Sequence, residues 1–165
     1  MKKLRLLLFK DCDKICEGCC NKDWDLDKLE VENDFTKYDE IILTGGEPML
    51  KPDLVIDTIN KIYEKSIPKI IMYTAKTNNI ADLLYIISII DGITLTLHEP
   101  SDIDDFITFN DVITTIGIIG NMSLRLNIFK GVNTDGIDLS MWKVKDNIEW
   151  IKNCPLPENE VLKKL

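Results

Sequence analysis

Ile93-Thr94-Leu95-Thr96-Leu97-His98 is the stretch on which the fold turns. Read as a strand, it sends Ile93, Leu95 and Leu97 to one face and Thr94, Thr96 and His98 to the other. Ser123-Leu124-Arg125-Leu126-Asn127-Ile128-Phe129 repeats the pattern, with Leu124, Leu126 and Ile128 set against Arg125, Asn127 and Phe129. A doubly wound sheet is covered by helices on both faces and needs both apolar. One polar face predicts instead a curved sheet with helices outside and a polar, ligand-holding interior.

Working outward, apolar runs at 4–9, 40–44 and 69–74 read as further buried strands. Pro52-Asp53 opens a helix to Lys65, with Val55, Ile59 and Ile62 on one face. Asn79 caps a second helix over 80–90. Helical turns are expected around 102–106 and 110–115. Weaker patterns suggest a short helix over 24–33, a sixth strand within 137–144 and a short helix over 147–153. Cys154-Pro155-Leu156-Pro157 reads as a turn before a polar tail. Strands alternating with helices imply a parallel sheet with right-handed crossovers. A full eight-stranded barrel takes about 250 residues, and this chain has 165. The expectation is an α/β fold, a partial (βα) barrel of five to six parallel strands. It forms a single domain over 1–165, with its core in 4–130 and a C-terminal extension over 131–165.

Composition narrows the function classes. The chain is 45% hydrophobic and 29% charged, ordinary values for a globular protein. Its net charge of −8 argues against a nucleic-acid surface, which needs concentrated Lys and Arg. No apolar run is long enough to cross a bilayer, so no membrane partner is expected. The apolar run after Met1-Lys2-Lys3 is short, and Lys10-Asp11 stands where a signal cleavage site would lie. The expected location is cytoplasmic. Clustered cysteines in a reducing compartment favour metal binding or redox work over disulfides.

Four of the five cysteines fall within Cys12-Asp13-Lys14-Ile15-Cys16-Glu17-Gly18-Cys19-Cys20, directly after the first strand. Cys12, Cys16 and Cys19 have C-x-x-x-C-x-x-C spacing. Thiolates suit zinc, copper(I) or an iron–sulfur cluster. A closed zinc site needs four ligands, and the loop offers three at this spacing, with Cys20 expected to point elsewhere. Three thiolates around a 4Fe–4S cluster leave one iron open. A zinc-binding loop is the alternative reading. The second signal is Thr44-Gly45-Gly46-Glu47-Pro48, at the end of the second strand. Paired glycines let a backbone approach a ligand closely, and α/β barrels carry their sites at this end of the strands.

Together these two motifs resemble the radical S-adenosylmethionine enzymes. The resemblance covers residues 4–75 clearly and extends loosely to 130. It implies that Cys12, Cys16 and Cys19 hold a 4Fe–4S cluster. It implies that Gly45, Gly46, Glu47 and Pro48 meet the amino group of S-adenosylmethionine. The implied activity is reductive cleavage of that cofactor to methionine and a 5′-deoxyadenosyl radical, which abstracts a substrate hydrogen atom. Most members carry an aromatic residue before the third cysteine, where this chain has Gly18. The run Cys16-Glu17-Gly18-Cys19-Cys20-Asn21, with Trp24 shortly after, is similar to the activating enzymes of anaerobic ribonucleotide reductase. Those usually carry Asp where Glu47 stands and an aromatic where Cys20 stands. Glu47 is closer to other glycyl-radical activases and to the 7-deazaguanine-forming branch. The resemblance therefore implies a glycyl-radical protein or peptide as substrate and a flavodoxin or ferredoxin-type reductant. The alternatives are an enzyme acting on a small molecule, similar to 7-carboxy-7-deazaguanine synthase, and a non-catalytic iron–sulfur or zinc protein.

Gly18 and Cys20 within the loop, with Thr74, His98 and Asn127 on the strands, complete the candidate cofactor contacts. No catalytic residue is assigned. Thr74 is equally readable as an exposed strand end, and His98, the only histidine, as a structural residue. Arg125 suits a carboxylate, either of a ligand or of the fold. Trp24 reads as core packing, Cys154 as a free thiol, and Asp102-Ile103-Asp104-Asp105 as a solvated face.

Overall fold

The computed structural model describes residues 1–117 and 122–165. Seven strands form one sheet: β1 Lys3–Leu7, β2 Glu40–Thr44, β3 Lys69–Thr74, β4 Gly92–Leu97, β5 Ser123–Phe129, β6 Lys143–Ile148 and β7 Glu160–Lys164. Their order is β6-β5-β4-β3-β2-β1-β7, with every neighbouring pair parallel. Three helices, α1 Pro52–Tyr63, α2 Ile80–Ser88 and α3 Ile103–Ile116, connect β2 through β5. The architecture is therefore α/β with an open, all-parallel sheet. It has seven strands rather than the expected five to six.

The helices form where local chemistry allows. Pro52 begins α1 with Asp53 in its first turn, where an acidic charge complements the helix dipole. Asn79 accepts from the Asp82 N–H and caps α2. Gly117 ends α3 at φ 66, a left-handed conformation that costs glycine little. Sequential strand order with right-handed crossovers leaves all three helices on one face. Val55, Ile59 and Ile62 of α1, with Ile86 of α2 and Phe106 and Phe109 of α3, share one core with Leu4, Leu6, Ile41, Leu43, Ile70, Met72, Leu95 and Leu126. Fully burying each aliphatic side chain contributes about 1.5–3 kcal/mol. The other face carries Arg5, Tyr73, Thr96 and Asn127, as the alternation in β4 and β5 predicts.

Three segments depart from expectation, each because a distant partner takes its backbone. Residues 24–33 form turns, not a helix. Lys164 of β7 receives the Glu32 N–H (2.8 Å) and donates to Glu30 O (3.0 Å). The polar tail is itself a strand: Glu160–Lys164 pairs along β1, and Glu160 forms an ion pair with Arg5 across the strand boundary. The sixth strand lies later than 137–144, and no helix forms over 147–153. Trp142 is buried and donates to Asn110 of α3 (2.8 Å), while Asn110 donates to Asp138 O (3.0 Å). These bonds hold 138–142 on the helix layer, and the chain joins the sheet only at Lys143.

The β6–β7 connection, residues 149–159, runs between the two edge strands of the sheet. It crosses the face that lacks helices, where Trp150, Ile151, Cys154 and Leu156 share a cavity wall with Arg5, Tyr73 and Asn127. Among the described residues, no helix is long and apolar enough to cross a membrane.

Candidate functional site

The cysteine loop leaves β1 and returns its backbone to the end of β2. Leu8 N donates to Thr44 O (2.9 Å), Gly46 N to Phe9 O (2.7 Å) and Glu47 N to Asp11 O (2.9 Å). The Asn21 side chain donates to Gly45 O (2.9 Å). A Cβ on Gly46 would lie 1.6 Å from Asp11 O, and one on Gly45 would lie 2.9 Å from Phe9 O. These glycines make room for the cysteine loop itself. The two sequence motifs are thereby one structural unit at the C-terminal edge of the sheet.

Ion pairs carry the loop across the next strands. Asp11 pairs with Lys51 after β2 (2.5 Å), Asp13 with Lys76 after β3, and Lys14 with Asp102 after β4. Exposed pairs contribute only about 0–1 kcal/mol each. The Lys14–Asp102 pair is largely buried, with side chains 16% and 7% exposed. Asp102 also accepts from the His98 backbone N–H (2.8 Å). The acidic run is thus not a solvated face at Asp102, though Asp104 and Asp105 are exposed.

Cys12 is exposed, while Cys16 and Cys19 are partly so, and all three are free thiols. Burial pushes the Cys12 and Cys16 thiols up, and charge on Cys19 raises both further. Among the described residues, no three His, Cys, Asp or Glu side chains converge on a single ion. A cluster of four irons takes more widely spread ligands than one ion does. Three thiols that each lose a proton on ligation fit its needs.

Cys20 departs from expectation: it forms a disulfide with Cys154, 134 residues away. Neither residue is a free thiol. Cys20 turns from the other three cysteines toward the β6–β7 connection, a strap over the inner face, where Trp24 Nε1 donates to Cys154 O (3.2 Å). Trp24 therefore lies against the strap and beneath the guanidinium of Arg5 at 6.0 Å. Gly18 serves a distant ring, since its Cβ would stand 2.6 Å from Trp150.

Glu47 is buried, and its carboxylate already accepts from Met49 N (3.0 Å), Ala75 N (2.8 Å) and the Thr74 hydroxyl. Burial pushes its pKa up, against the pull of those donors. Both residues thus join the ends of β2 and β3, and Thr74 is buried rather than an exposed strand end. Pro48 is buried and opens a short 3-10 turn. What this motif leaves for an outside ligand is chiefly backbone.

His98 stands where the loop, the glycine motif and the inner face meet. It borders a cavity with Cys16, another with Gly46 and Thr74, and a third of about 300 Å³ with Asn127 and Tyr73. Its ring is stacked on Trp150 (5.3 Å, 7°) and tilted against Phe129 (5.0 Å). Burial lowers its pKa from the ordinary histidine value, favouring the neutral imidazole. Its Nδ1 is buried without a hydrogen-bond partner among the described residues. Asn127 faces the same 300 Å³ cavity, with Trp24, Phe129 and Trp150 as aromatic walls.

The structure thus brings together Cys12, Cys16 and Cys19 with Gly45-Gly46-Glu47-Pro48, Thr74 and His98. It sets Gly18, Cys20 and Asn127 on the cavity beneath the strap. Sequence reasoning passed over Lys14, Tyr73 and Trp150. A tryptophan four residues before a Cys-Pro, in an otherwise polar stretch, was the signal for the last of these. Comparison with protein-family models finds no match for this chain, and a search of curated proteins finds none either.

Proposed function

We propose that the chain is a radical S-adenosylmethionine enzyme on a shortened partial (βα) barrel. Cys12, Cys16 and Cys19 would hold a 4Fe–4S cluster. The observation that carries this reading is the docking of the cysteine loop on Gly45-Gly46-Glu47 through Gly46 N–Phe9 O, Glu47 N–Asp11 O and Asn21–Gly45 O. Two motifs separated by a helix-length stretch of chain act there as one site. When bound, the cluster and S-adenosylmethionine would supply reductive radical chemistry directed at a substrate hydrogen atom. The chain's own part is binding, orientation and exclusion of water. The three thiols give up their protons to become ligands. Glu47 and Thr74 hold the strand ends rigid beside the glycine backbone. Lys14 and Asp102 fix the loop over the end of β4. The aromatic walls keep water from the inner face.

The substrate class favoured by the loop resemblance is the glycine backbone of a glycyl-radical protein, with a flavodoxin or ferredoxin-type reductant. A second reading rests on the 300 Å³ aromatic cavity beneath the strap, which suits a small molecule such as a 7-carboxy-7-deazaguanine precursor. The test is anaerobic reconstitution with iron and sulfide, reduction by dithionite, and chromatography for 5′-deoxyadenosine after adding S-adenosylmethionine. The expected result is 5′-deoxyadenosine that disappears in Cys16→Ala. Stoichiometric zinc without a cluster, or a cluster that never cleaves the cofactor, overturns the proposal in favour of a non-catalytic iron–sulfur or zinc protein.

A further inference from the structure

We propose that residues 149–157 form a redox-latched strap: the Cys20–Cys154 disulfide holds Trp150 in an aromatic slot on the inner face, and reduction releases it. This goes beyond the cofactor chemistry proposed above and does not depend on it. The strap joins the two edges of the sheet over the face that lacks helices. Beyond a turn at 152–153, residues 149–156 join no strand of the sheet among the described residues. Four things hold the strap: the disulfide, the Trp24 bond to Cys154 O (3.2 Å), the packing of Trp150 on His98 and Phe129, with ring centroids 5.3 and 4.3 Å apart, and an exposed Lys130–Glu149 ion pair (2.9 Å) at its start. A segment without ladder bonds belongs to the low-stability end of a fold. Its one covalent hold is the latch.

The slot beneath is made for more than the strap. Gly18 clears the space that Trp150 fills, since any Cβ there would touch the indole at 2.6 Å. His98 Nδ1 stays buried and unpartnered among the described residues while Trp150 covers the ring. A buried polar atom without a partner is unfavourable, so the seated state leaves the slot unsatisfied. Release exposes that nitrogen together with Asn127 and Tyr73 to whatever enters.

The chemistry balances with a dithiol as reductant. Cys20 is half-buried and Cys154 buried, so a thiolate of the dithiol attacks the Cys20 sulfur. The Cys154 thiolate leaves and takes a proton. The second thiol of the reductant then displaces Cys20 as a thiol and closes its own disulfide. Two electrons and two protons have moved to the protein, and the strap keeps only its noncovalent contacts.

The test is heteronuclear NMR of the full chain before and after treatment with dithiothreitol, with peptide mapping to count the thiols. On reduction, the Trp150 indole and His98 ring resonances are expected to move to solvent-exposed positions. Backbone order parameters over 150–156 are expected to fall from about 0.85 to below about 0.6, while resonances of β1–β5 hold still. The double variant Cys20→Ser/Cys154→Ser should reproduce the reduced spectrum without any reductant. If that variant does not fold, reduction of the natural chain carries the test alone. An unmoved Trp150 with both thiols free would show that packing seats the strap without the bond. Loss of the β1–β5 resonances would make the disulfide a staple for the whole fold. Absence of the Cys20–Cys154 bond from air-purified protein would remove the latch. Each of these overturns the proposal.

Discussion

Replacing Gly46 with alanine tests how the cysteine loop is held. The new Cβ would sit 1.6 Å from Asp11 O and 2.2 Å from its carbonyl carbon. Carbon–oxygen contacts in proteins settle at about 3.3–3.6 Å, so the two backbones would have to part by roughly 1.7 Å. Both neighbours are main chain, and no side chain can swing aside. Gly46 N–Phe9 O at 2.7 Å and Glu47 N–Asp11 O at 2.9 Å would stretch beyond any hydrogen-bond distance. Losing two such bonds, with donors left unpaired, costs about 1–2 kcal/mol each. Strain from the forced displacement adds about 1–3 kcal/mol. The sum is about 3–7 kcal/mol, a large share of the 5–15 kcal/mol typical of a domain. Urea unfolding followed by circular dichroism reads it directly: at a slope of about 1–3 kcal/mol per molar, the midpoint should fall by about 2 M. Gly117→Ala is the control. Gly117 has φ 66 and, among the described residues, nothing within 4 Å of its would-be Cβ, so only conformational strain of about 1 kcal/mol is expected. If Gly46→Ala shifts the midpoint no more than Gly117→Ala, the close approach of the two motifs is not what holds the loop.

Further predictions concern the frame around the site. Glu32 is buried, and burial alone would raise its pKa, but the Tyr38 hydroxyl, the Asp34 N–H and Lys37 outweigh that and hold it at about 2. A depressed carboxyl pKa stabilises the fold above the unfolded value and loses that contribution as pH falls through the folded one. About 2–3 kcal/mol should therefore disappear between roughly pH 5 and pH 2, and Glu32→Gln should flatten that part of a stability–pH curve measured in urea. Trp142→Phe strands the buried Asn110 Oδ1, which accepts the indole N–H at 2.8 Å. A loss of about 1–3 kcal/mol is expected, and a thermal midpoint unchanged from the natural chain would refute the bond's role. Gly18→Ala should unseat Trp150 even with the disulfide closed, moving the His98 ring resonances, because its Cβ claims space 2.6 Å from the indole. Unchanged His98 resonances would mean that the loop yields instead of the strap.

The first two helices and the first five strands were legible because burial there is periodic and local, whereas Ile103–Ile116 is one helix where two separate turns were expected. Val55, Ile59 and Ile62 declare the buried face of α1 at helical spacing, and Leu95 against Thr96 declares the two faces of β4. The order in which cysteines and glycines follow β1 and β2 also placed both motifs at one edge, since parallel strands end on the same side. What eluded the sequence depends on partners far along the chain. Glu160–Lys164 looks like a solvated tail until β1 offers it an edge, and residues 24–33 lose a weak helix to the same strand. The bonds that Ala75 and Met49 give the Glu47 carboxylate were likewise beyond the sequence, because β3 brings them there.

By itself, then, the amino-acid order determined the α/β alternation, the helix-bearing and open faces of the sheet, and the joint edge at which Cys12, Cys16, Cys19 and Gly45-Gly46 gather. Only the tertiary structure decided that Cys20 bonds Cys154, that Trp150 fills the space left by Gly18, and that Asp102 is buried with Lys14. The physical reason is that faces and caps follow from residues within a few positions of one another. Disulfides, edge pairings and aromatic stacks join residues that only the closed sheet-and-strap arrangement brings within a few ångströms.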